Sequence, residues 1–265
     1  MSEHNFEVES GKSIKLLTKN KVCTEDIVVS GVGGSGGGED LFLTYLKGEM
    51  TNFIVPKEAP TVKLNLFYKD TAIKTADLRN ATSVGIEAFR DSSLEEVIFN
   101  DELSVNAYNY FGARVFYNTR LVDVSSTFNV PLSSASPSIF ESCLKLKNVY
   151  LPNVKLNGSA KIFSGCSALE TVVISGGNRL VDNNFLNCSS LTTLILTGNE
   201  IPTLSNINNF TGTPIANGTG YIYVPKVLLS DDDATKDYRR ATNWVTYASQ
   251  FRAIEDYPEI CGGAE

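Results

Sequence analysis

The chain is poor in the side chains that most often carry catalysis. Among 265 residues it has a single histidine, His4, and a single tryptophan, Trp244. A Ser-His or Cys-His nucleophilic pair needs a histidine beside the nucleophile, and His4 lies at the extreme N-terminus. The five cysteines include no Cys-x-x-Cys pair, which argues against a metal or redox site. We therefore expect a protein that is not an enzyme and that uses no cofactor or metal.

The chain also lacks an excess of positive charge and any long hydrophobic run. Its formal net charge is −7, so binding to nucleic acid through phosphate groups is not expected. No apolar stretch approaches the ~20 residues of a membrane-spanning helix. The segment Met1-Ser-Glu-His-Asn-Phe-Glu-Val-Glu9 has neither the basic nor the apolar region of a secretory signal peptide. We expect no nucleic acid partner, no membrane insertion and no export signal.

Adjacent carboxylates are the remaining candidates for catalysis. They occur at Glu95-Glu96, Asp101-Glu102 and Glu255-Asp256, and glycoside hydrolysis requires two carboxyl groups that flank a cleft. Neighbouring residues on a strand point to opposite faces, so adjacency in sequence does not create such a pair. A solvated surface is the simpler interpretation of each pair.

Phenylalanine recurs along the chain with a period in the low twenties. The sequence Phe163-Ser-Gly-Cys-Ser-Ala-Leu169 returns as Phe185-Leu-Asn-Cys-Ser-Ser-Leu191, and looser copies begin at Phe140 and Phe89. A fixed period of this length is typical of a solenoid, whose units cannot bury their apolar faces alone. The recurring positions are Phe67, Phe89, Phe111, Phe140, Phe163, Phe185 and Phe210.

Short β-rich runs alternate with these phenylalanines. They are Phe53–Val55, Val97–Phe99, Val122–Val124, Val149–Leu151, Val172–Ile174, Leu194–Leu196 and Ile222–Val224. Stacking one strand per repeat gives a parallel sheet on one side of the solenoid. The predicted fold class is therefore an α/β solenoid, a curved leucine-rich-repeat-like array with a parallel sheet on one face.

Three of the cysteines occupy equivalent repeat positions. Cys143, Cys166 and Cys188 each follow a repeat phenylalanine by three residues. Stacked turns would place these thiols in one column, where they act as small buried hydrophobic side chains.

Composition divides the chain into four parts. Residues 1–30 contain two strand-like runs, Ser13–Leu17 and Asp26–Val29, which predict a small β-hairpin module. Residues 31–40 form a glycine-rich linker, and residues 41–225 form the solenoid. Residues 226–265 are predicted to be a helical cap, because apolar residues recur at three- and four-residue steps within 231–255. In this cap Trp244 would plug the last turn.

The block Phe163-Ser-Gly-Cys-Ser-Ala-Leu-Glu-Thr-Val-Val-Ile174 resembles leucine-rich repeats of the BspA type, which occur in many surface proteins of gut and oral bacteria. The resemblance covers residues 51 to about 225. The unit between Phe111 and Phe140 departs from the pattern with a 29-residue period and an insertion expected near Ser125–Ser138. The unit at Phe210 is also irregular.

The two ends resemble a narrower group of proteins. The segment Lys12–Val29 is similar to short modules of tail and minor structural proteins from phages of Gram-positive bacteria. Gly220-Tyr-Ile-Tyr-Val-Pro225 and Tyr238–Ala248 look like the closing segment of leucine-rich repeat proteins from the same phages and their hosts. This resemblance implies a fibre or baseplate protein of the virion that binds other tail proteins through residues 1–30. It also allows a homo-oligomer.

Two surfaces are candidates for binding a bacterial cell-surface polysaccharide or protein. On the sheet, the middle residue of each strand should face outward, which predicts a stripe of Asp77, Ile98, Asp123, Tyr150, Val173, Ile195 and Tyr223. An exposed apolar stripe would mark a contact surface. Alternatively, β-branched and aromatic residues simply suit strands.

The second candidate surface is a segment rich in tyrosine, asparagine and arginine. Its members are Tyr108, Tyr110, Tyr117, Asn118 and Arg120, residue types that supply rigid contact area and adaptable hydrogen bonds. Alternatively, the neighbouring phenylalanines Phe111 and Phe116 are core residues and the tyrosines seal the edge of that turn. Three settings therefore remain open: a phage receptor-binding protein, a bacterial surface adhesin, and a structural tail scaffold.

Overall fold

The computed structural model describes residues 4–8, 12–16, 50–55, 57, 60–103 and 110–261. From residue 50 onward these residues form a solenoid, in which successive turns of the chain add parallel strands side by side. The strands of the chain are β1 His4–Val8, β2 Lys12–Leu16, β3 Asn52–Ile54, β4 Thr61–Val62, β5 Thr75–Asp77, β6 Ser83–Val84, β7 Glu96–Ile98, β8 Asp123–Ser125, β9 Leu132–Ser133, β10 Asn148–Asn157, β11 Thr171–Leu180, β12 Thr193–Leu196, β13 Thr203–Leu204, β14 Tyr221–Val224 and β15 Phe251–Ala253.

Each β-rich run predicted from the sequence coincides with a strand that begins within one residue of it. Strands β10 and β11 extend six residues further than predicted, and β4, β5, β6, β9, β13 and β15 were not among the predicted runs. The largest sheet has the order β15-β14-β12-β11-β10-β8, and a smaller one has the order β3-β5-β7. Pairing within both sheets is parallel. The parallel sheet that the repeats predicted is confirmed. The strands of both sheets point one or more side chains into the solenoid, and the buried ones include Ala76, Val97, Val124, Val149, Val172, Leu194 and Ile222.

A ladder of stacked phenylalanines runs along the solenoid opposite these inward side chains. Neighbouring ring centroids are 5.3–5.7 Å apart and the ring planes are within 2–15° of parallel. Such pairs contribute about 0.5–1.5 kcal/mol each beyond their area burial. The ladder consists of Phe67, Phe89, Phe116, Phe140, Phe163, Phe185 and Phe210.

One member of this ladder differs from the sequence prediction, which assigned Phe111. Phe111 is buried, but its ring meets Phe116 at 64° and lies off the ladder. The amides of Glu87, Phe89 and Asp91 donate to the carbonyls of residues 113, 115 and 117, which fixes Phe116 as the partner of Phe89. The long interval therefore lies between Phe89 and Phe116, and the insertion expected near Ser125–Ser138 is wrong.

Residues with a left-handed backbone conformation flank most ladder phenylalanines on both sides. The residue two positions before and the residue two positions after have positive φ, as at Lys161 and Gly165 around Phe163. Such backbone is strained for a side chain other than glycine. Amides at these positions and at the phenylalanine donate to carbonyls of the next turn, so the stacking of turns compensates the local strain.

The cysteine column is confirmed. Cys143, Cys166 and Cys188 are fully buried. Each thiol also donates to the carbonyl of the ladder phenylalanine in the preceding turn, at 3.0 Å. The same position holds Thr119 and Thr213 in other turns, and these hydroxyls donate to the phenylalanine carbonyl of their own turn. The position therefore selects a small hydrogen-bond donor in these five turns.

The predicted N-terminal hairpin is not confirmed. Strand β2, Lys12–Leu16, pairs antiparallel with β1, His4–Val8, whereas the sequence suggested a partner at Asp26–Val29. Those residues and the linker at 31–40 lie outside the described residues.

The C-terminal region is not the continuous amphipathic helix that its periodicity suggested. Its helical pieces are the 3₁₀ turns Lys226–Leu228, Ala234–Lys236, Trp244–Gln250 and Ile254–Asp256, with a single α-helical turn, α1, at Pro258–Cys261. A positive φ at Asn243 and a non-helical Tyr247 interrupt the helix. A further 3₁₀ turn, Ile207–Phe210, carries the last ladder phenylalanine.

Trp244 nevertheless closes the end of the ladder. Its ring is buried, lies 6.0 Å from Phe210 and contacts Tyr238 and Phe251. Its indole N–H donates to the carbonyl of Pro202 at 2.7 Å. The last turn is thus sealed by packing, as the sequence predicted for this residue.

Candidate functional site

The pairing register defines the outward-facing stripe on the large sheet. Tyr150, Val173, Ile195 and Tyr223 are aligned across β10, β11, β12 and β14. We call these four residues the outer row. Asp123, which the sequence placed in the same stripe, is aligned with Asn148 and hydrogen-bonded to its amide. The β8 residue in register with the row is Ser125, so the placement of Asp123 was wrong by two positions.

The outer row is not the exposed surface that the sequence suggested. Val173, Ile195 and Tyr223 are 8%, 0% and 7% exposed, and Tyr150 is half-buried. They form an apolar cluster with Ile254, Tyr257 and Ile260, which come from the end of the chain. We call residues 254–261 the C-terminal strap. Because this strap folds over the sheet, three of the predicted contact residues are buried within the chain.

The other two predicted stripe residues, Asp77 and Ile98, lie in register in the small sheet, and Ile98 is exposed. The side chain of Asp77 accepts hydrogen bonds from Arg79. Desolvation raises the pKa of Asp77, but the hydrogen bonds and charge of Arg79 outweigh it and lower the pKa overall. These two residues form a mixed polar and apolar surface.

The tyrosine-rich segment divides into buried and exposed members. Tyr110 is buried against Phe111, with ring centroids 4.6 Å apart, so the interpretation as an edge seal fits this residue. Burial raises the pKa of its hydroxyl far above the usual range. Tyr108 lies outside the described residues. Tyr117 is half-buried, and Asn118 and Arg120 are exposed.

Tyr117 belongs to a stack that crosses three turns of the solenoid. The guanidinium of Arg90 lies 5.6 Å from the ring centroid of Tyr68 and 5.1 Å from that of Tyr117. All three residues directly follow a ladder phenylalanine, so the solenoid repeat places them side by side. Cation–π contacts of this kind contribute about 0.5–1 kcal/mol at exposed sites. We call Tyr68, Arg90, Tyr117, Asn118 and Arg120 the loop-face cluster.

Carboxylates neutralise part of the positive charge of the loop-face cluster. Glu87 accepts from Arg90 at 2.7 Å and from Arg114 at 3.1 Å, and Asn118 donates to Asp91 at 2.8 Å. These contacts raise the pKa of Arg90, chiefly through the hydrogen bond to Glu87. The result is a preorganised surface of aromatic edges, amide and guanidinium donors.

We place Arg120 at the margin of the cluster because it follows Tyr117 by three residues. Its backbone amide donates to Leu94, and its side chain is exposed. The pKa of Glu95 is lowered, mainly by a hydrogen bond from Lys74 and to a smaller extent by the charges of Lys145 and Arg120. This margin therefore combines donors and acceptors of both charges.

Members of the three carboxylate pairs make contacts that stabilise the fold. Glu95 binds Lys74, Asp101 accepts from Ser126 and Thr127, and Glu255 accepts the amide of Lys226. Across the described residues, no group of three or more His, Cys, Asp or Glu side chains is placed to hold a metal ion. In that same part of the chain, no helix is long and apolar enough to cross a membrane.

Two features of the site were missed from the sequence. Tyr117 is recognisable as a member of one stack with Tyr68 and Arg90 only when Phe116 is taken as the repeat position, because all three residues then follow a ladder phenylalanine. The strap was missed because Ile254, Tyr257 and Ile260 follow the cap, and nothing local shows that they return to the sheet.

A leucine-rich-repeat solenoid is defined here by three repeated features. They are the parallel strands, the phenylalanine ladder, and the column of threonine and cysteine side chains three residues after five of the ladder phenylalanines. A family model for the BspA type leucine rich repeat region matches residues 45–114 and 106–213, with six copies. The chain therefore belongs to the BspA-type leucine-rich repeat family.

Comparisons with curated sequences and with solved structures gave different results. No curated protein sequence matches the chain significantly. The chain is similar to a crystal structure of a leucine-rich repeat protein from Bacteroides ovatus, with 13% sequence identity and a TM-score of 0.28. That match covers 78% of this chain and 85% of the other.

Proposed function

We propose that the protein is a non-enzymatic recognition module that binds the surface of a bacterial cell through its loop-face cluster. The observation that carries this proposal is the stack of Tyr68, Arg90 and Tyr117 across three turns. Rigid tyrosine and arginine side chains are the residues that dominate many recognition surfaces. The solenoid fixes them on one face, and no folding step is needed on binding.

The proposed setting is the tail of a phage that infects Gram-positive bacteria. The resemblance of residues 12–29 to tail-protein modules supports it. In this setting residues 1–30 attach the protein to other tail proteins, and the repeats contact a polysaccharide or protein of the host surface. Several copies on one virion would raise the avidity of weak individual contacts.

A second setting is the surface of a bacterium, and the family match favours it. BspA-type repeats are common in bacterial surface proteins, so an adhesin could present the same cluster. Mass spectrometry of purified virions and of protease-shaved cells separates the two settings. Detection in virions alone supports the tail protein, and detection among shaved peptides alone supports the adhesin.

Binding of the fluorescently labelled full chain to a panel of Gram-positive gut bacteria tests the function itself. We expect strain-selective binding. Protease treatment or removal of wall glycans then identifies the target as protein or polysaccharide. Absence of binding to every strain, even when the protein is clustered on beads, would contradict recognition and favour a structural scaffold.

A further inference from the structure

The apolar outer row of the sheet is covered by a segment with a simple chemical pattern. Ile254, Tyr257 and Ile260 contact the row at three-residue steps. The ring of Tyr257 meets that of Tyr223 edge to face, with centroids 5.4 Å apart. Between these residues lie the exposed acidic side chains of Glu255, Asp256 and Glu259. The strap is thus a short apolar and acidic peptide seated on a sheet.

Within the described residues, Lys226 makes polar contacts with two side chains of the strap. The backbone amide of Lys226 donates to Glu255 at 2.8 Å, and its ammonium group is 2.9 Å from Asp256. Both side chains of the latter pair are more than half exposed, so water screens their attraction. The strap itself consists of one 3₁₀ turn and one α-helical turn, which are not stable alone.

The solenoid interior does not depend on the strap. Val149, Val172, Leu194 and Ile222 are buried inside the turns, on the opposite face of the sheet. Strand β15 closes the edge of the sheet before the strap begins. Detachment of residues 254–261 would therefore expose the outer row and leave the phenylalanine ladder and the inward side chains packed.

We propose that the outer row is a docking site for a short peptide segment of a partner protein, and that the strap occupies this site in the free protein. The strap shows the chemistry that the site accepts: apolar or aromatic residues at three-residue steps with carboxylates between them. Two basic residues border the site, Arg252, which is in register with Tyr223, and Lys226. This proposal concerns a different face from the loop-face cluster and does not depend on it.

Competition between the strap and a free peptide tests the proposal. The probe is a fluorescent peptide of residues 253–260, and the protein is the full chain carrying Tyr257→Ser and Ile260→Ser, which removes two strap anchors. We expect the peptide to bind this variant about tenfold or more tightly than the wild type. A matched variant, Leu144→Ser with Val245→Ser, changes two exposed apolar residues outside the strap and the outer row and should behave as the wild type.

Two outcomes of this titration would overturn the proposal. One is equal affinity of the peptide for the wild type and the anchor variant. The other is no binding to an anchor variant whose circular dichroism and melting transition match those of the wild type. A peptide carrying the same two serines must also fail to bind, since binding without the anchors would contradict the assigned chemistry.

A second measurement tests the proposed docking site if the anchor variant does not fold. In Ile195→Cys, the new thiol lies beneath the strap, while Cys143, Cys166 and Cys188 lie inside the solenoid. Labelling with iodoacetamide, mapped by mass spectrometry, should modify the new thiol about a hundredfold faster than these three, because the strap opens locally. Equal rates would mean that the strap opens only on global unfolding, which excludes a docking site there.

Discussion

At the scale of single residues, one repeat position illustrates what the solenoid demands. The third residue after each ladder phenylalanine is buried in every turn, and it is a threonine or cysteine in five of the seven. In those five turns its thiol or hydroxyl donates to the carbonyl of a buried phenylalanine. The sequence predicted burial of the cysteines from their spacing. The sequence did not predict the hydrogen bonds of these thiols, because a buried cysteine is usually treated as an apolar side chain.

The requirements of this position predict that Cys166 tolerates threonine better than leucine. Cys166→Thr keeps a small donor and should change the free energy of unfolding by less than about 1.5 kcal/mol. Cys166→Leu adds volume to a closed column and should destabilise the protein by about 1–3 kcal/mol. Urea-induced unfolding measures both. Equal effects of the two substitutions would contradict the requirement for a small side chain in this column.

The buried thiol of Cys188 also predicts a loss of stability at high pH. Burial raises the pKa of Cys188 to about 12, whereas an unfolded cysteine titrates near pH 8.5. The unfolded state therefore loses its proton first, and the stability that this thiol contributes is complete below about pH 8.5 and is lost as the pH rises towards 12. Melting temperatures across this range, compared between the wild type and Cys188→Thr, measure the effect. If the melting temperature of Cys188→Thr falls as steeply with pH as that of the wild type, the prediction is wrong.

At the scale of elements, the C-terminal cap shows where periodicity misleads. Apolar residues at three- and four-residue steps predicted a helix over 231–255, yet the chain forms separate 3₁₀ turns. The backbone turns at Asn243, which directs Trp244 onto the ladder and the following strand into the sheet. Packing of the tryptophan against Phe210 outweighs the local helical preference, and a pattern of apolar residues cannot reveal that competition.

The cap predicts a large effect at Trp244. Replacement by alanine removes a fully buried ring and should cost about 3–5 kcal/mol. Replacement by phenylalanine keeps part of the packing but leaves the carbonyl of Pro202 without its indole partner, and should cost about 1–3 kcal/mol. Val245→Ala, at an exposed neighbouring position, serves as the control and should change stability by less than about 0.5 kcal/mol. Chemical denaturation measures all three, and an order other than this one would contradict the proposed plug.

At the scale of the whole molecule, the solenoid is held by contacts between adjacent turns. The period in the sequence was sufficient to predict the parallel sheet and most of the ladder, because every turn repeats the same burial. It was insufficient at Phe116, where two phenylalanines five residues apart compete for one ladder position. It was also insufficient for the outer row, because the strap that covers it is distant in sequence.

This architecture predicts that a phenylalanine in the interior of the ladder matters more than a phenylalanine in the first described turn. Phe163 stacks on both neighbours, so Phe163→Ala should cost about 3–5 kcal/mol. Phe53 is half-buried in the first described turn, so Phe53→Ala should cost less and leave the later turns folded. Urea unfolding followed by circular dichroism compares them. Equal costs would contradict the nearest-neighbour account.

The central claim is that the loop-face cluster binds a bacterial surface, and a pair of matched variants tests it most directly. Tyr117→Ser with Arg120→Ser alters the cluster, and Tyr221→Ser with Arg179→Ser removes the same exposed residue types elsewhere. Binding of each labelled full chain to a strain bound by the wild type is measured by titration, after melting curves establish that both variants are folded. We predict a loss of about tenfold or more for the cluster variant and a change within about twofold for the control. Unchanged binding of the cluster variant, or an equal loss in both, would contradict the claim.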